Sequence, residues 1–292
     1  MALADRIDGL KALWKFDNRL QLLLSRLCFR EHGLNVYYLN GMQILVDHQA
    51  GDESGTRHVL VSPMYQQFLP QMSFKAPINV LDLGANGGGF ALMLKNNGIA
   101  LRKVVAVEFN PNTYARLHFN LTQNLDCQVI ALNAAAVGET KSLQLQVGQG
   151  GTSDNIYQPL TSGNAKTVTI EGVTMDELYS RYFDGEKIDM CKIDIEGAEH
   201  EIFSMPYHHS LKHVRYLIIE IHGNDEQRKD AVLQALKKLG FKSQPRVAVN
   251  EQDVYFLQTL AKHSNDGITR KCVPQSNSFC PCKSLVTLVH RI

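Results

Sequence analysis

The stretch from Ile78 to Phe90, INVLDLGANGGGF, limits the fold of this chain more than any other part of the sequence. An apolar run ends at Asp82, four glycines follow within Gly84–Gly89, and a helical pattern begins at Phe90. This order predicts a strand, a tight turn and a helix. Glycines permit positive φ angles and leave space for a ligand to lie directly on the backbone, so the turn predicts a binding site.

The carboxylate of Asp82 separates the ligands that use such a turn. Dinucleotides place their pyrophosphate on the helix N-terminus of a similar turn. A carboxylate at the strand end would repel a pyrophosphate, but it suits a ligand that carries an ammonium and a sulfonium and no phosphate. We therefore expect S-adenosylmethionine (SAM) at this turn, and an NAD-dependent oxidoreductase is the alternative.

Strands and helices alternate after residue 78, which predicts parallel βαβ units and an α/β fold with helices on both faces of a mostly parallel sheet. The predicted strands are 78–83, 104–109, 129–135, 187–195 and 214–221, and the predicted helices between and after them are 89–97, 112–124, 175–182, 198–203 and 227–239. Two further strands, 142–147 and 167–173, indicate an inserted hairpin around the loop 148–163. The predicted strands 241–249 and 254–259 are expected to form a closing antiparallel pair.

Three domains are expected: an N-terminal helical and hairpin cap at 1–76, a SAM-binding domain at 77–260 and a cysteine-containing tail at 261–292. Within the cap, residues 1–30 predict an amphipathic helix or a broken pair of helices, which packs on its own domain or forms a homodimer contact or a membrane-surface helix. Asn40-Gly41 between apolar strands predicts a hairpin. The polar segment from Gln49 to Arg57 predicts a loop, and Tyr65 to Met72 a short helix.

Composition excludes some classes of partner. The 292 residues carry 30 basic and 29 acidic side chains, so we expect no nucleic-acid partner. Charged residues at Asp5, Arg6 and Asp8 interrupt the place where a signal peptide needs an apolar centre, and no apolar run approaches membrane-spanning length. We therefore expect no transmembrane segment and a cytoplasmic location.

Ligands of open α/β sheets bind at the carboxyl ends of the strands, which provides a set of candidate site residues. Side chains alternate along a strand, so Lys192, Asp194 and Glu196 should point one way, as should Glu220 and His222. Glu108 ends an apolar strand where its carboxylate can accept hydrogen bonds from both hydroxyls of a ribose. The candidates for binding SAM are Asp82, Gly84, Ala85, Asn86, Gly88, Glu108, Asn133 and Ala135.

Five motifs occur in the order typical of the FkbM family of SAM-dependent methyltransferases, and the resemblance covers about residues 78–223. The motifs are Asp82-x-Gly84-Ala85-Asn86-x-Gly88, Val107-Glu108-x-x-Pro111, Thr174-Met175-Asp176-x-Leu178, Ile188-Asp189-x-x-Lys192-Ile193-Asp194-Ile195-Glu196-Gly197-Ala198-Glu199 and Ile219-Glu220-Ile221-His222. The resemblance implies a class I methyltransferase (Rossmann-like) fold, with a seven-stranded sheet that contains one antiparallel strand. It also implies methyl transfer to a hydroxyl, often on a sugar, glycan or natural product. A non-catalytic SAM-binding assembly subunit is the other alternative.

An alcohol is a poor nucleophile until its proton leaves, so the site needs a general base or a metal ion. Neutral His222, oriented by Glu220, is a candidate base. Asp194, Glu220 and His222 could instead hold Mg²⁺ or Mn²⁺, because hard oxygen ligands with one imidazole suit these ions. A third interpretation is structural: Lys192 and Asp194 form an ion pair and His222 caps a loop. Together with Glu196, these residues are the predicted catalytic set, facing a small-molecule or glycan acceptor.

Overall fold

The computed structural model describes residues 11–28, 33–147, 166–243 and 254–259. The strands are β1 (Leu34–Leu39), β2 (Met42–Asp47), β3 (Ile78–Leu83), β4 (Leu101–Glu108), β5 (Gln128–Ala136), β6 (Lys141–Val147), β7 (Lys166–Val173), β8 (Ile188–Ile193), β9 (Val214–Glu220), β10 (Phe241–Ser243) and β11 (Val254–Thr259). The helices are α1 (Arg19–Cys28), α2 (Val59–Val61), α3 (Pro63–Gln66), α4 (Gly89–Asn96), α5 (Pro111–Asn124), α6 (Met175–Tyr182), α7 (Glu199–Ser204) and α8 (Glu226–Lys238). A π-helical turn lies at Glu53–His58, and 3₁₀ turns lie at Leu69–Gln71 and His209–His213.

One large sheet dominates the described part of the chain. Its nine strands have the order β10-β11-β9-β8-β3-β4-β5-β7-β6. Strands β3, β4, β5, β8 and β9 are parallel to one another, and β11 runs antiparallel to both β9 and β10. The predicted α/β class and mostly parallel sheet are confirmed. The expected seven strands with one antiparallel strand are present, but the hairpin β6–β7 pairs with β5 and extends the sheet to nine.

Alternating side chains of the central strands feed two separate hydrophobic cores. On β3, Ile78 and Val80 belong to the core that also contains side chains of α4, α5 and the cap. Leu81 and Leu83 belong to the opposite core, with side chains of α6, α7 and α8. Both faces of the sheet are therefore covered by helices, which explains why its strands are nearly continuous apolar runs.

The predicted hairpin is confirmed, and it is bound to helix α5. Asn40 and Gly41 have φ angles of 49° and 80°, which the turn of a two-residue hairpin requires. The backbone N–H of Leu45 on β2 donates to Oδ1 of Asn120 at 2.7 Å, and that of Gln43 to Oδ1 of Asn124 at 2.8 Å. These side-chain amides act as the missing neighbour of an edge strand and hold the cap against the sheet domain.

The predicted loop from Gln49 to Arg57 is wrong, because this segment turns helically at Glu53–His58 and is partly buried. Fully buried Asp52 accepts hydrogen bonds from the backbone of Asp47 at 2.9 Å and from Nε of Arg116 at 2.6 Å. Composition does not distinguish a buried, paired aspartate from an exposed one, and for this reason the polar segment was predicted to be a loop. The predicted helix from Tyr65 to Met72 is likewise interrupted, since α3 ends at Gln66 and a 3₁₀ turn follows.

Some predictions lie outside the described residues: the first ten residues, the loop 148–163, most of the strand predicted at 241–249, and the tail 261–292. Helix α1 leaves Leu20, Leu24 and Leu27 about 60% exposed, and the homodimer contact proposed for this helix stays a prediction. In the part of the chain that the structure describes, no helix combines the length and the apolar character needed to cross a membrane.

Candidate active site

A cavity of about 210 Å³ opens at the carboxyl ends of the central strands. The parallel register brings these ends together, since Asp82 on β3 is level with Lys192 on β8, and Glu108 on β4 with Asn133 on β5. The predicted residues that line the cavity are Gly84, Ala85, Asn86, Glu108, Ala135, Lys192, Asp194, Glu196 and Glu220. Four other predicted residues, Asp82, Gly88, Asn133 and His222, lie beside or behind it.

The glycine turn is tight because the chain itself approaches it closely. A Cβ on Gly87 would lie 2.2 Å from Oγ1 of Thr56, and one on Gly89 would lie 2.5 Å from the carbonyl oxygen of Thr56. A Cβ on Gly84, which has a φ of +72°, would lie 1.7 Å from the carbonyl oxygen of Asp194. The interpretation that these glycines leave space for a ligand is therefore wrong in its reason, because the protein occupies that space.

Asp82 does not face the cavity as the sequence suggested. Its side chain is 0% exposed, and its Oδ1 lies 3.5 Å from Nζ of Lys192. Burial raises the pKa of Asp82, and the ammonium of Lys192 opposes that shift. Nζ of Lys192 also donates to the carbonyl oxygen of Gly84 at 3.0 Å and lies 3.2 Å from Oδ2 of Asp194. Asp82 thus contacts the site through Lys192, which joins the glycine turn to the end of β8.

Burial lowers the pKa of Lys192, but the charges of Asp194 and Asp82 outweigh it and leave that pKa above its usual value. Lys192 therefore stays protonated at neutral pH and balances the two carboxylates that it contacts. The structural ion pair between Lys192 and Asp194, one of the interpretations of the sequence, is present in the structure.

Glu108 lines the cavity with its carboxylate held by the backbone. Its Oε2 accepts from the N–H of Asn86 at 3.1 Å, and its Oε1 accepts from the N–H of Asn110 at 2.8 Å. The carboxylate consequently has a fixed place between the glycine turn and the start of α5. Whether a ribose completes its hydrogen bonds stays a prediction.

Asn133 and Gly88 support this half of the site without lining it. Nδ2 of Asn133 donates to the carbonyl oxygens of Glu108 at 3.0 Å and of Phe109 at 2.8 Å, so it fixes the connection from β4 to α5. Gly88 precedes α4 with a φ of +89°, and a Cβ there would lie 2.8 Å from Cδ2 of Leu121. The contacts that the structure shows for these two residues are within the protein, and direct contact with the methyl donor stays a prediction for both.

The second half of the site is a cluster of carboxylates around one imidazole. Nε2 of His222 lies 3.4 Å from Oε1 of Glu220, 3.5 Å from Oε2 of Glu196 and 3.8 Å from Oδ1 of Asp194. The structure therefore brings together the four residues expected at the ends of β8 and β9. One ligand atom from each of Asp194, Glu220 and His222 lies within 4.8 Å of the others, which is a candidate arrangement for a metal ion.

Glu199, which the sequence did not identify as a site residue, holds this cluster in place. Its side chain is 0% exposed, and its Oε1 lies 3.1 Å from Nδ1 of His222. The same carboxylate accepts from the N–H of Ile195 at 3.0 Å and of Gly197 at 2.8 Å. Glu196 between them has a φ of 52°, a conformation that costs energy for a residue other than glycine. Glu199 therefore fixes both the turn that presents Glu196 and the orientation of His222, a role predicted for Glu220.

Tyr65 is a second residue that sequence reasoning missed. It comes from the cap, is fully buried, and its hydroxyl donates to Oδ2 of Asp194 at 3.1 Å. Its partner is 129 residues away along the chain, so no local pattern could connect them. The cap is consequently part of the site and not only a cover for it.

The carboxylates change the ionisation of their neighbours. Burial lowers the pKa of His222, but hydrogen bonds to Glu199 and Glu220 outweigh it and raise that pKa from 6.5 to about 11. Burial raises the pKa of Glu196 from 4.5 to about 7, with His222 opposing and Asp194 adding to the shift. An imidazole that keeps its proton cannot accept another, so this environment conflicts with the interpretation of His222 as a neutral base.

Comparisons with known proteins give one matching family model and several solved structures of low sequence identity. The family model described as "Methyltransferase FkbM domain" matches residues 82–243 of this chain. No curated protein sequence matches. Among solved structures, the FkbM methyltransferase from Methylobacillus flagellatus KT is 12% identical, with 87% of this chain and 59% of that chain covered and a TM-score of 0.45.

Two further solved structures have a similar degree of likeness. Fibrillarin from Aeropyrum pernix, solved with natively bound S-adenosyl-L-methionine, is 12% identical over 78% of this chain and 83% of its own, with a TM-score of 0.41. The ribosomal protein L11 methylase from Lactobacillus delbrueckii subsp. bulgaricus is 14% identical over 73% and 84%, with a TM-score of 0.40. The assignment of this chain rests on the family match to residues 82–243.

Proposed function

Because the chain belongs to the FkbM family of SAM-dependent methyltransferases, we propose that it transfers the methyl group to a hydroxyl of a sugar, glycan or secondary metabolite. One observation carries the proposal. A single cavity is lined both by the glycine turn with Glu108 and by the cluster of Asp194, Glu196 and Glu220. The first half suits a nucleoside donor, and the second can activate a hydroxyl.

The charge of the cavity suits a cationic donor. Its wall contains four carboxylates and one ammonium: Glu108, Asp194, Glu196, Glu220 and Lys192. A surplus of negative charge attracts the sulfonium and ammonium of SAM and repels the two phosphates of NAD. Calorimetric titration with each compound separates the two classes, and tighter binding of NAD than of SAM would reject the methyltransferase proposal for this cavity.

The reaction requires alignment and the removal of one proton. A lone pair of the hydroxyl oxygen forms the new O–CH₃ bond as the C–S bond breaks, and the bonding electrons remain on sulfur as S-adenosylhomocysteine leaves. Holding the two reactants in line can contribute about 7–11 kcal/mol. The hydroxyl proton must pass to a carboxylate of the cluster or to water, which is the step that the acidic half of the site has to promote.

For that step we favour a divalent cation at Asp194, Glu220 and His222 over His222 as a free base, with the cation displacing the proton of the imidazole when it binds. The ligand atoms of the two carboxylates lie 3.8 Å and 3.4 Å from Nε2 of His222, so small movements bring them to the separation of about 3 Å expected for adjacent ligands of Mg²⁺. Glu199 at Nδ1 resembles the carboxylates that commonly orient metal-binding histidines. A cation there would supply Lewis-acid activation of the hydroxyl.

The test uses SAM with an isotopically labelled methyl group and carbohydrate, lipid and small-metabolite fractions of the native cell, with and without a chelator. We expect label in an ether-forming fraction, loss of transfer with the chelator, and recovery with Mg²⁺ or Mn²⁺. Full transfer in the presence of the chelator would reject the metal ion but keep the methyltransferase. Binding of SAM without transfer to any fraction would indicate a non-catalytic subunit instead.

A further inference from the structure

A second space lies at the amino ends of the central strands, on the edge of the sheet opposite the active-site cavity. This space, called here the basic groove, has a volume of about 270 Å³. Its walls come from the connection between the cap and β3, from the first residues of β3 and β4, and from residues at the start of β8 and β9. None of its described lining residues also lines the active-site cavity.

We propose that the basic groove binds a small phosphate ester that also carries a hydrogen-bond donor, the chemistry shared by nucleotides and sugar phosphates. The cations of the groove would hold the phosphate, and the organic part of the ester would supply the donor. The inference does not depend on methyl transfer, because the groove and the active-site cavity have different walls.

The first argument is the charge of the groove. Its lining contains one carboxylate, that of Asp189, and four cations, which are Lys75, Arg102, Lys187 and Arg215. Two more charged residues belong to the same group: Glu186 pairs with Arg102 at 2.9 Å, and Lys103 pairs with Glu186 at 2.9 Å. With these two included, five cations stand against two carboxylates. The surplus of positive charge attracts an anion.

The second argument is that three of the four lining cations are available to a ligand. Within the described residues, the ammonium groups of Lys75 and Lys187 have no ion pair or hydrogen bond, and both side chains are exposed. The guanidinium of Arg215 lies over the ring of Tyr216, 4.7 Å from its centroid, which leaves the N–H donors at its edge for an oxygen ligand. A phosphate can therefore contact these groups without breaking an ion pair of the protein.

The chain that follows the groove does not supply the anion. Strand β11 ends beside Arg215, since Oγ1 of Thr259 donates to its carbonyl oxygen at 3.4 Å. In the sequence after it, residues 260–292, Asp266 is the one acidic side chain, against the basic Lys262, Arg270, Lys271, Lys283 and Arg291. This sequence contains no acidic segment that could act as a counter-ion, which favours an anion from outside the chain.

The third argument is a buried acceptor in the groove wall. Asn79 is 2% exposed, and its Nδ2 lies 2.8 Å from the carbonyl oxygen of Lys187 and 3.3 Å from Oε2 of Glu186. Both partners are acceptors, so they fix which end of the amide carries the nitrogen. Oδ1 of Asn79 is buried and, within the described residues, accepts no hydrogen bond. A hydroxyl or amino group of a bound ester would satisfy it.

The size and the apolar part of the wall favour an ester over inorganic phosphate. The groove, at about 270 Å³, is larger than the active-site cavity of about 210 Å³. Phe74, Ala76 and Pro77 add apolar surface to its lining, and the ring of Phe74 is held edge-on against Tyr216 at 5.5 Å. A phosphate ion alone would contact the cations and leave this surface unused, whereas the organic part of an ester can cover it.

The test is calorimetric titration of the full-length protein at low ionic strength, where exposed charges are screened least. The probes are cytidine 5′-monophosphate, glucose 6-phosphate and inorganic phosphate, with cytidine and glucose as matched compounds that lack the phosphate. We expect at least one ester to bind at least about tenfold more tightly than inorganic phosphate, and cytidine and glucose not to bind. The tighter of the two esters distinguishes a nucleotide from a sugar phosphate.

A double variant, Lys75→Gln with Lys187→Gln, removes two cations from the groove. Both side chains are exposed and have no ion pair within the described residues, so we expect the fold to be retained, which the urea unfolding midpoint checks. The affinity for the tighter ester should fall by at least about tenfold. Lys237→Gln on α8, which also removes one exposed lysine, is the control and should change this affinity by less than about twofold.

SAM is titrated into the same samples, with and without the ester. We expect the same SAM affinity throughout, because the two spaces lie at opposite edges of the sheet. Failure of the parent protein to bind any phosphate probe, or equal ester affinity in the double variant and the parent, would overturn the proposal. So would displacement of SAM by the ester, which would place the ester in the active-site cavity. Esters that bind no more tightly than inorganic phosphate would overturn the assignment of an organic ester.

Discussion

A glutamate carboxylate behaves in opposite ways at the two ends of the central strands. At the amino ends, hydrogen bonds from Lys103 and Arg102 lower the pKa of Glu186 from 4.5 to about 2. At the carboxyl ends, burial and the neighbouring carboxylates raise the pKa of Glu196 from 4.5 to about 7. Two cations surround Glu186, with Nζ of Lys103 and Nη2 of Arg102 each 2.9 Å away. Glu196 instead shares its surroundings with Asp194 and Glu220 and one imidazole.

This difference separates a carboxylate that is held by two cations from one that lies among other carboxylates. In the amino-end cluster two cations compensate the charge of the one carboxylate, Glu186, so the effect of these ion pairs is on stability. The carboxyl-end cluster retains a surplus of negative charge, an arrangement that costs folding energy and is retained where a site needs to bind or activate something. Lys192, which lies between Asp82 and Asp194, offsets part of this negative charge. Glu199 fixes the position of His222 in the cluster.

Replacement of Lys192, at the carboxyl ends of the strands, should have the largest effect on stability. Lys192→Met leaves the fully buried Asp82 without its cation, and we expect a loss of about 3–5 kcal/mol in the free energy of unfolding, measured with urea. The double variant with Asp82→Asn should recover much of that loss, because the fully buried position 82 then carries no unpaired charge. Lys237→Met, an exposed lysine of α8, is the control. A loss as small as that of the control would show that the pair is not what holds the two strand ends together.

Glu199→Gln should disturb the carboxyl end without removing any residue that faces the cavity. The amide places a donor where the N–H groups of Ile195 and Gly197 need an acceptor, and it weakens the contact to Nδ1 of His222. We expect kcat to fall by about 10–100-fold, with SAM affinity unchanged. Glu177→Gln on α6, a partly exposed glutamate that pairs with Arg181 away from the cavity, is the control. Equal turnover in the two variants would contradict a positioning role for Glu199.

Glu108→Gln tests the half of the site whose carboxylate is already satisfied by the backbone. The amide can accept only one of the two N–H donors, from Asn86 and Asn110, and loses the charge that we expect to bind a ribose. SAM binding should weaken by about 1.5 kcal/mol or more in calorimetry. Glu171→Gln on β7 supplies an exposed reference. Unchanged SAM affinity in the Glu108 variant would place the methyl donor elsewhere.

Replacement of Glu186 in the amino-end cluster should give the smallest change in stability, and this change should depend on pH. The folded-state pKa of Glu186 lies at about 2, below its usual 4.5, so its stabilisation is present above pH 4.5 and is lost as the pH falls towards 2. The difference in Tm between the parent protein and Glu186→Gln should therefore shrink over this range. The exposed Glu139→Gln should show no such trend. A difference in Tm that does not shrink below pH 4.5 would mean that the ion pairs do not cause it.

Local patterns were sufficient for the elements of the core. Asn40-Gly41 predicted the hairpin because only a few residues adopt its positive φ angles, and the apolar runs of β3, β4, β8 and β9 predicted buried parallel strands. The turn at Glu53–His58 was missed, because Asp52 is buried through its pairing with Arg116, 64 residues away. Nothing in the composition of 49–57 distinguishes a buried ion pair from a solvated loop.

The site was predictable only in part for a similar reason. The rule that ligands bind at strand ends selected Glu108, Asp194, Glu196, Glu220 and His222, which the structure gathers at one edge. The same rule selected Asp82 and Asn133, whose side chains are used by the protein itself. It could not select Tyr65 or Glu199, because one lies in the cap and the other begins a helix.

The order of residues along the chain determined the alternation of strands and helices, the glycine turn and the family to which the chain belongs. These features depend on neighbours a few positions apart, which a sequence displays directly. Only the tertiary structure decided which carboxylates are neutralised and which keep a surplus of charge, and which glycines touch the protein itself. Those outcomes depend on distances between groups far apart in the chain, and electrostatic energy and steric fit follow distance in space.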